Sequence, residues 1–172
     1  MANTRTRTRT TPLVAWMFIA AGVLLLLVEL FHLIASSMTS SWLYFLAYVA
    51  LTVAFVALFL WRTGILARVA FIVAAVGWAL MALASLPIGL GAVDKVGIIL
   101  ALVGTLVSGI LVFARNLFNR QSSTIFLIAA ILGAIWLLSL LGGFLPAILV
   151  LIIFIAFAAL LIVTGVLYAR RR

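Results

Sequence analysis

Two ionisable side chains, Glu29 and His32, lie within one strongly apolar stretch of this chain. Residues three positions apart share a face of a helix, so the carboxylate and the imidazole can meet. Ionisable groups inside a membrane are costly and usually functional, which makes the pair a candidate for proton or ion handling. The alternative is structural, because the two groups can bond to each other or to a neighbouring helix and fix the packing. The sequence leaves both interpretations open.

Asp94 and Lys95 form a second charged pair, at the start of another apolar stretch. An aspartate there stabilises the positive end of the helix dipole, and the lysine can extend toward the lipid headgroups. If the first and fourth apolar stretches are neighbours, Lys95 can reach Glu29. An outward-facing cluster of Glu29, His32, Asp94 and Lys95 would then result.

Catalytic groups are scarce, since the chain holds two acidic residues, one histidine and no cysteine. It contains no HExxH helix, no GxSxG turn and no phosphate-binding glycine loop. His32 is the only histidine, and the serine nearest to it is Ser36. Two ligands, Glu29 and His32, are too few for a metal site. We therefore predict a non-enzymatic protein without a metal or a cofactor.

The composition identifies an integral membrane protein. Hydrophobic residues make up 69% of the 172 residues, charged residues 8%, and the mean hydropathy is +1.52. A spanning helix needs about 20 apolar residues, and six such runs fall at about 13–35, 42–61, 66–86, 93–114, 124–142 and 147–169. The predicted fold is all-α, a polytopic membrane protein with six transmembrane helices. Residues 1–11 are predicted to be a disordered basic arm, and residues 12–172 a single transmembrane domain.

An internal repeat divides the chain into thirds. A phenylalanine precedes an arginine by 44 residues three times, in the pairs Phe18 and Arg62, Phe71 and Arg115, and Phe126 and Arg170. Each interval holds two predicted spans, which indicates one helical hairpin used three times, at about 12–62, 66–115 and 124–170. Two-span repeats keep the same orientation, and this disfavours an inverted-repeat transporter.

The second and third hairpins share further features. Each has a proline in its turn and ends in a similar tripeptide before the arginine, Ser108-Gly109-Ile110 or Thr164-Gly165-Val166. In this pattern the chain resembles the HdeD-like acid-resistance family of six-span, short-repeat membrane proteins. The first hairpin departs from it, with Val56-Ala57-Leu58 at the matching place and no turn proline. The resemblance implies a non-enzymatic inner-membrane protein linked to acid or envelope stress, and it assigns no catalytic residues.

The cations are distributed unequally between the two sides of the membrane. Alternating six spans puts Lys95 on one side and all the arginines on the other: Arg5, Arg7, Arg9, Arg62, Arg68, Arg115, Arg120, Arg170, Arg171 and Arg172. The positive-inside rule then predicts a plasma (inner) membrane protein with both termini in the cytoplasm. These arginines are predicted to contact anionic lipids. We expect no nucleic-acid partner, since no basic-aromatic RNA-binding pattern accompanies the net charge of +9.

Hydroxyl and indole groups inside the spans also need hydrogen-bond partners. Buried indoles at Trp78 and Trp136 require an acceptor for their N–H groups or must face a neighbouring helix. Hydroxyls within helices often bond to the backbone of their own helix. That arrangement is predicted for Thr52, Ser85, Thr105, Ser139 and Thr164.

The main functional hypothesis is a stress-related membrane protein, or an accessory subunit that packs against a second copy or a larger membrane complex. The alternative is a small proton-linked channel or transporter that uses Glu29 and His32. A transporter should bring together polar residues from several helices. The sequence places its clearest polar pair on one helix, which favours the main hypothesis.

Reporter fusions test the predicted topology. A reporter that is active only outside the cytoplasm should work when fused at Pro87 and should be inactive when fused after Asn116 or at the C-terminus. The physical reason is the retention of arginine-rich links on the cytoplasmic side. Activity at the C-terminus would contradict the orientation.

Overall fold

A computed structural model describes residues 4–34, 37–60, 64–86 and 91–170, with side chains for 12–31, 41–60, 64–86 and 93–170. Within these residues the chain forms six α-helices and no strands. They are α1 (Thr4–Ile34), α2 (Ser37–Leu60), α3 (Ile65–Ala84), α4 (Gly91–Ala114), α5 (Arg120–Gly142) and α6 (Ala147–Ala169). Each contains a stretch long and apolar enough to cross a membrane. The predicted all-α class with six spanning helices is confirmed, whereas the disordered arm, the domain division and the side on which the termini lie stay predictions.

The six helices form a closed ring. Each helix packs against the helices before and after it, and α1 packs against α6. Short links between consecutive helices require neighbours to run antiparallel. Helices α1 and α4 therefore lie on opposite sides of the ring, and the backbones of their described residues do not contact each other.

Small residues bring α3 and α4 together. A Cβ atom on Gly77 would collide with the backbone of Ala101, and a Cβ atom on Gly104 would collide with the backbone of Ala74. The two contacts run in opposite order along the two helices, as antiparallel packing requires. Helices in a bilayer cannot associate by expelling water, so close backbone approach at small residues supplies the attraction.

The ring closes between α1 and α6 through the same kind of close backbone contact at glycines. A Cβ atom on Gly22 would lie 2.5 Å from the carbonyl oxygen of Ala158, and one on Gly165 would lie 2.6 Å from the carbonyl oxygen of Ala15. Because any side chain at these glycines would push the helices apart, the seam depends on their hydrogen side chains.

Aromatic rings fill the interior of the ring in two groups. The six-ring cluster forms a closed circuit with successive centroids 5.0 to 6.5 Å apart, made by Tyr44, Tyr48, Trp78, Phe157, Trp136 and Phe154. The phenylalanine cluster consists of Phe18, Phe55, Phe118 and Phe126 with Tyr168. Both clusters join helices that are not neighbours, as where Phe18 of α1 meets Phe126 of α5 at 5.5 Å. The rings therefore meet at the centre.

The two ends of the ring differ in charge. Glu29, near the end of α1, and Asp94, in the first turn of α4, lie at one end, called here the carboxylate end. At the other, the arginine end, helices α3 and α5 begin and helices α4 and α6 finish. The described arginines there are Arg68, Arg115, Arg120 and Arg170, all exposed.

Replacing Gly77 or Gly104 with alanine should lower the free energy of unfolding by about 1–3 kcal/mol, because the added methyl group overpacks the α3–α4 contact. The control is Gly142→Ala, whose Cβ would meet only the ring of Phe144. It should change stability by no more than about 0.5 kcal/mol. Reversible unfolding in mixed micelles, followed by tryptophan fluorescence, measures both. Equal effects in all three variants would contradict the packing.

Candidate functional site

Glu29 meets a tyrosine of the next helix. Its side chain is half-buried, and the hydroxyl of Tyr44 on α2 donates a hydrogen bond to its carboxylate. The packing of α1 against α2 makes this contact.

Asp94 approaches the same group of side chains from the opposite side of the ring. Its side chain is half-buried in the first turn of α4. Tyr48, only 6% exposed, lies within electrostatic range of both Asp94 and Glu29. The rings of Tyr44 and Tyr48 stack with centroids 5.7 Å apart. We call these four residues the carboxylate site.

The carboxylate site contains every acidic residue of the sequence, since Glu29 and Asp94 are the only two. The sequence predicts a capping role for Asp94 and a place in the outward-facing cluster with Glu29, but it indicates no role for a tyrosine. The feature of the sequence that could have identified the two tyrosines is the spacing of Tyr44 and Tyr48, which places both phenols on one face of the second span. The two carboxylates therefore concentrate negative charge around the two phenols at this end of the ring.

A polar contact lies directly beneath this site. The ring of Trp78 on α3 lies 5.6 Å from that of Tyr48, and its Nε1–H donates a 3.0 Å hydrogen bond to the hydroxyl of Thr105 on α4. Both residues are buried. This bond supplies the acceptor that the sequence required for the indole of Trp78, and it also corrects the prediction for Thr105.

The other predicted hydroxyl bonds are confirmed. Each of the remaining four hydroxyls donates to a carbonyl three or four residues earlier in its own helix, with donor–acceptor distances of 2.6 to 2.8 Å. They are Thr52, Ser85, Ser139 and Thr164. These hydroxyls are therefore satisfied within their own helices.

The structure describes only some of the side chains in the predicted cluster of Glu29, His32, Asp94 and Lys95. The side chain of His32 lies outside the described residues. Lys95 is exposed, and α1 and α4 are not neighbours in the part of the chain that the structure describes. The condition under which Lys95 would reach Glu29 is therefore not met there. No three potential metal ligands come together among the described side chains.

The arginines predicted to contact lipids are distributed as follows. Arg115 lies against the start of α3, since its Nη1 atom would be 2.5 Å from a Cβ atom on Gly64. Arg68, Arg120 and Arg170 are exposed at the same end. The side chains of Arg5, Arg7 and Arg9, and the whole of Arg62, Arg171 and Arg172, lie outside the described residues.

Comparisons of the chain with family models, curated proteins and solved structures gave no match. The resemblance to the HdeD-like family therefore stays a prediction from the repeat pattern. No relative therefore supplies a function for this chain.

Thr105→Val should lower the free energy of unfolding by roughly 1 kcal/mol, because it leaves the buried Trp78 N–H without its acceptor in a bilayer. Thr52→Val is the control, since the Thr52 hydroxyl bonds only to its own helix. A double-mutant cycle with Trp78→Phe measures the pair directly. If Thr105→Val costs as much with Phe at position 78 as with Trp, the bond contributes nothing to stability.

Proposed function

We propose that this chain is a non-enzymatic integral membrane protein that acts in acid or envelope stress, or as an accessory to a larger membrane complex. The observation that carries the proposal is the filled interior. Aromatic rings from helices on different sides meet at the centre, and the carboxylate site lies above them at one end. Such an arrangement can bind a proton at one membrane face without offering it an open polar path.

The proposed orientation determines which side of the membrane the carboxylate site faces. Both termini and the arginine end would face the cytoplasm, in a plasma (inner) membrane, with the chain built from three repeated hairpins. The segregation of the described arginines from Glu29 and Asp94 supports this orientation. The carboxylate site would then face the outside, where an acid shock first changes the proton concentration. Anionic lipids would contact the arginine end, and a second copy or another membrane protein would pack on the apolar exterior.

The alternative is a small proton-linked channel or transporter that uses Glu29 and His32. One observation favours it: Glu29, Asp94 and the two tyrosines come together from three helices, α1, α2 and α4. Polar residues that converge from several helices are typical of transport sites. In this alternative the rings of the six-ring cluster would have to separate during each transport cycle.

Proton flux distinguishes the two proposals. Purified protein in liposomes under an imposed pH gradient should show no flux above that of empty liposomes, for the wild type and for Glu29→Gln and His32→Ala. The reason is the filled interior beneath the site. The two variants should instead lose thermal stability: Glu29→Gln weakens the hydrogen bond from Tyr44, and His32→Ala removes the group that the sequence predicts to bond with Glu29.

The matched control is Lys95→Gln, which removes an exposed charge at the same end and should leave both readouts unchanged. Flux in the wild type that disappears in Glu29→Gln and His32→Ala, but persists in Lys95→Gln, would overturn the main proposal and establish the transporter.

A further inference from the structure

Helix α1 begins well before its membrane span. Its first residue is Thr4, whereas the stretch that is long and apolar enough to cross a membrane begins at Pro12. Residues 4–11, called here the arm helix, therefore continue α1 beyond the span at the arginine end. The sequence predicts disorder for this segment, but the structure gives it a helical backbone. Conflicts of this kind between sequence and fold occur mainly at functional sites.

The amino acids of the arm helix oppose the helix that they form. Five of its eight residues are threonines and three are arginines. Threonine is β-branched and loses side-chain freedom in a helix. The arginines add positive charge at the positive end of the helix dipole, and Arg5 and Arg9 are one turn apart, where like charges repel. No acidic residue is present in the first turn to offset them.

Pro12 separates the arm helix from the span. Proline has no backbone N–H, so it cannot bond to the carbonyl of Thr8, and its ring crowds that carbonyl. The residue before a proline, here Thr11, is also biased away from helical backbone angles. The arm therefore gains little stability from the long helix that follows it. Helices shorter than about 12 residues are marginal on their own in water, so the arm helix needs another source of stability.

The stabilising partner has to be negatively charged and outside the chain. The arm helix contains no apolar residue with which to pack, and the only two acidic residues, Glu29 and Asp94, lie at the opposite end of the ring. The bilayer is the nearest surface, because the arm helix leads directly into the span. Trp16, one turn after Pro12, is 64% exposed, as is typical of indoles at the level of the headgroups.

We propose that the arm helix is a lipid-binding segment, which folds on an anionic membrane surface and unfolds without it. A bend at Pro12 lays the helix along the headgroups, where lipid phosphates neutralise Arg5, Arg7 and Arg9. An upright arm, rising about 1.5 Å per residue, would hold Arg5 about 10 Å above Pro12, beyond the screening length of about 8 Å in physiological salt. The inference rests on the part of the proposed function that places anionic lipids at the arginine end, and it is independent of the stress role.

Hydrogen–deuterium exchange of the N-terminal peptic peptide tests the proposal. The intact protein is placed in nanodiscs of phosphatidylcholine, which is zwitterionic, or of phosphatidylcholine mixed with anionic phosphatidylglycerol. In a helix that begins at Thr4, the amides of residues 8–11 bond to carbonyls four residues earlier. The peptide should therefore retain about four more hydrogens at early exchange times in the anionic nanodiscs than in the zwitterionic ones.

Two variants identify the source of the protection. Arg5→Gln/Arg7→Gln/Arg9→Gln keeps the length of the arm and removes its charge, so these amides should exchange fast in both lipid compositions. Pro12→Ala restores the missing N–H and joins the arm to the span, so protection should appear in the zwitterionic nanodiscs as well. Lys95→Gln is the matched control, since it removes an exposed cation at the opposite end and should exchange like the wild type.

Equal exchange of the wild-type arm in the two lipid compositions would overturn the proposal. Slow exchange in both would mean that the helix needs no lipid charge, and fast exchange in both would mean that lipid does not fold it, as expected of an arm that binds an acidic protein instead. This comparison decides the question without any variant.

Thermal unfolding separates failure of this inference from failure of the proposed lipid contact. If phosphatidylglycerol raises the melting temperature of Arg5→Gln/Arg7→Gln/Arg9→Gln, the remaining arginines bind anionic lipid. Equal exchange of the wild-type arm would then overturn the folding of the arm and leave the lipid contact standing.

Discussion

The structure depends on backbone contact between helices, because a bilayer offers no water whose expulsion could drive helices together. Glycine supplies that contact on opposite sides of the ring, at Gly77 and Gly104 between α3 and α4 and at Gly22 and Gly165 between α1 and α6. Tight seams draw the six helices into a small circle. Only a small circle lets rings from opposite sides meet at the centre, so the filled interior follows from the glycine contacts.

A filled interior confines polar chemistry to the ends of the ring. Apart from the Trp78–Thr105 bond and hydroxyls that bond to their own helix, the paired polar groups of the described interior lie near its two rims. Glu29 and Asp94 share one rim with two phenols, whereas the arginines surround the other. A charge placed at a rim remains close to headgroups and solvent, which reduces its desolvation cost relative to the midplane.

Composition and local patterns were enough to predict the helices and most of the hydroxyl bonds. The six apolar runs of the sequence correspond to the six helices. Thr52 and Thr164 donate hydrogen bonds to a carbonyl in the preceding turn of their own helix, because that carbonyl is always within reach. Thr105 differs because its partner, Trp78, is 27 positions away on another helix. Such a bond depends on the register between α3 and α4, which short-range patterns do not encode. The convergence of Asp94 with Glu29 depends likewise on the closure of the ring, and His32 lies outside the described side chains.

The seam between α1 and α6 joins the first and the last of the six described helices, whereas every other backbone interface among the described residues joins helices that follow one another. During synthesis α6 is made after the other five helices, so these five form an open arc until α6 is in place. The rings of Phe154 and Phe157 on α6 complete the six-ring cluster only then. While the arc is open, the seam faces of α1 and α6 are complementary both within one chain and between two chains. Closure within the chain is favoured by the high effective concentration of its own α6. The same surfaces, exchanged between two open arcs, would give a domain-swapped dimer without any new interface.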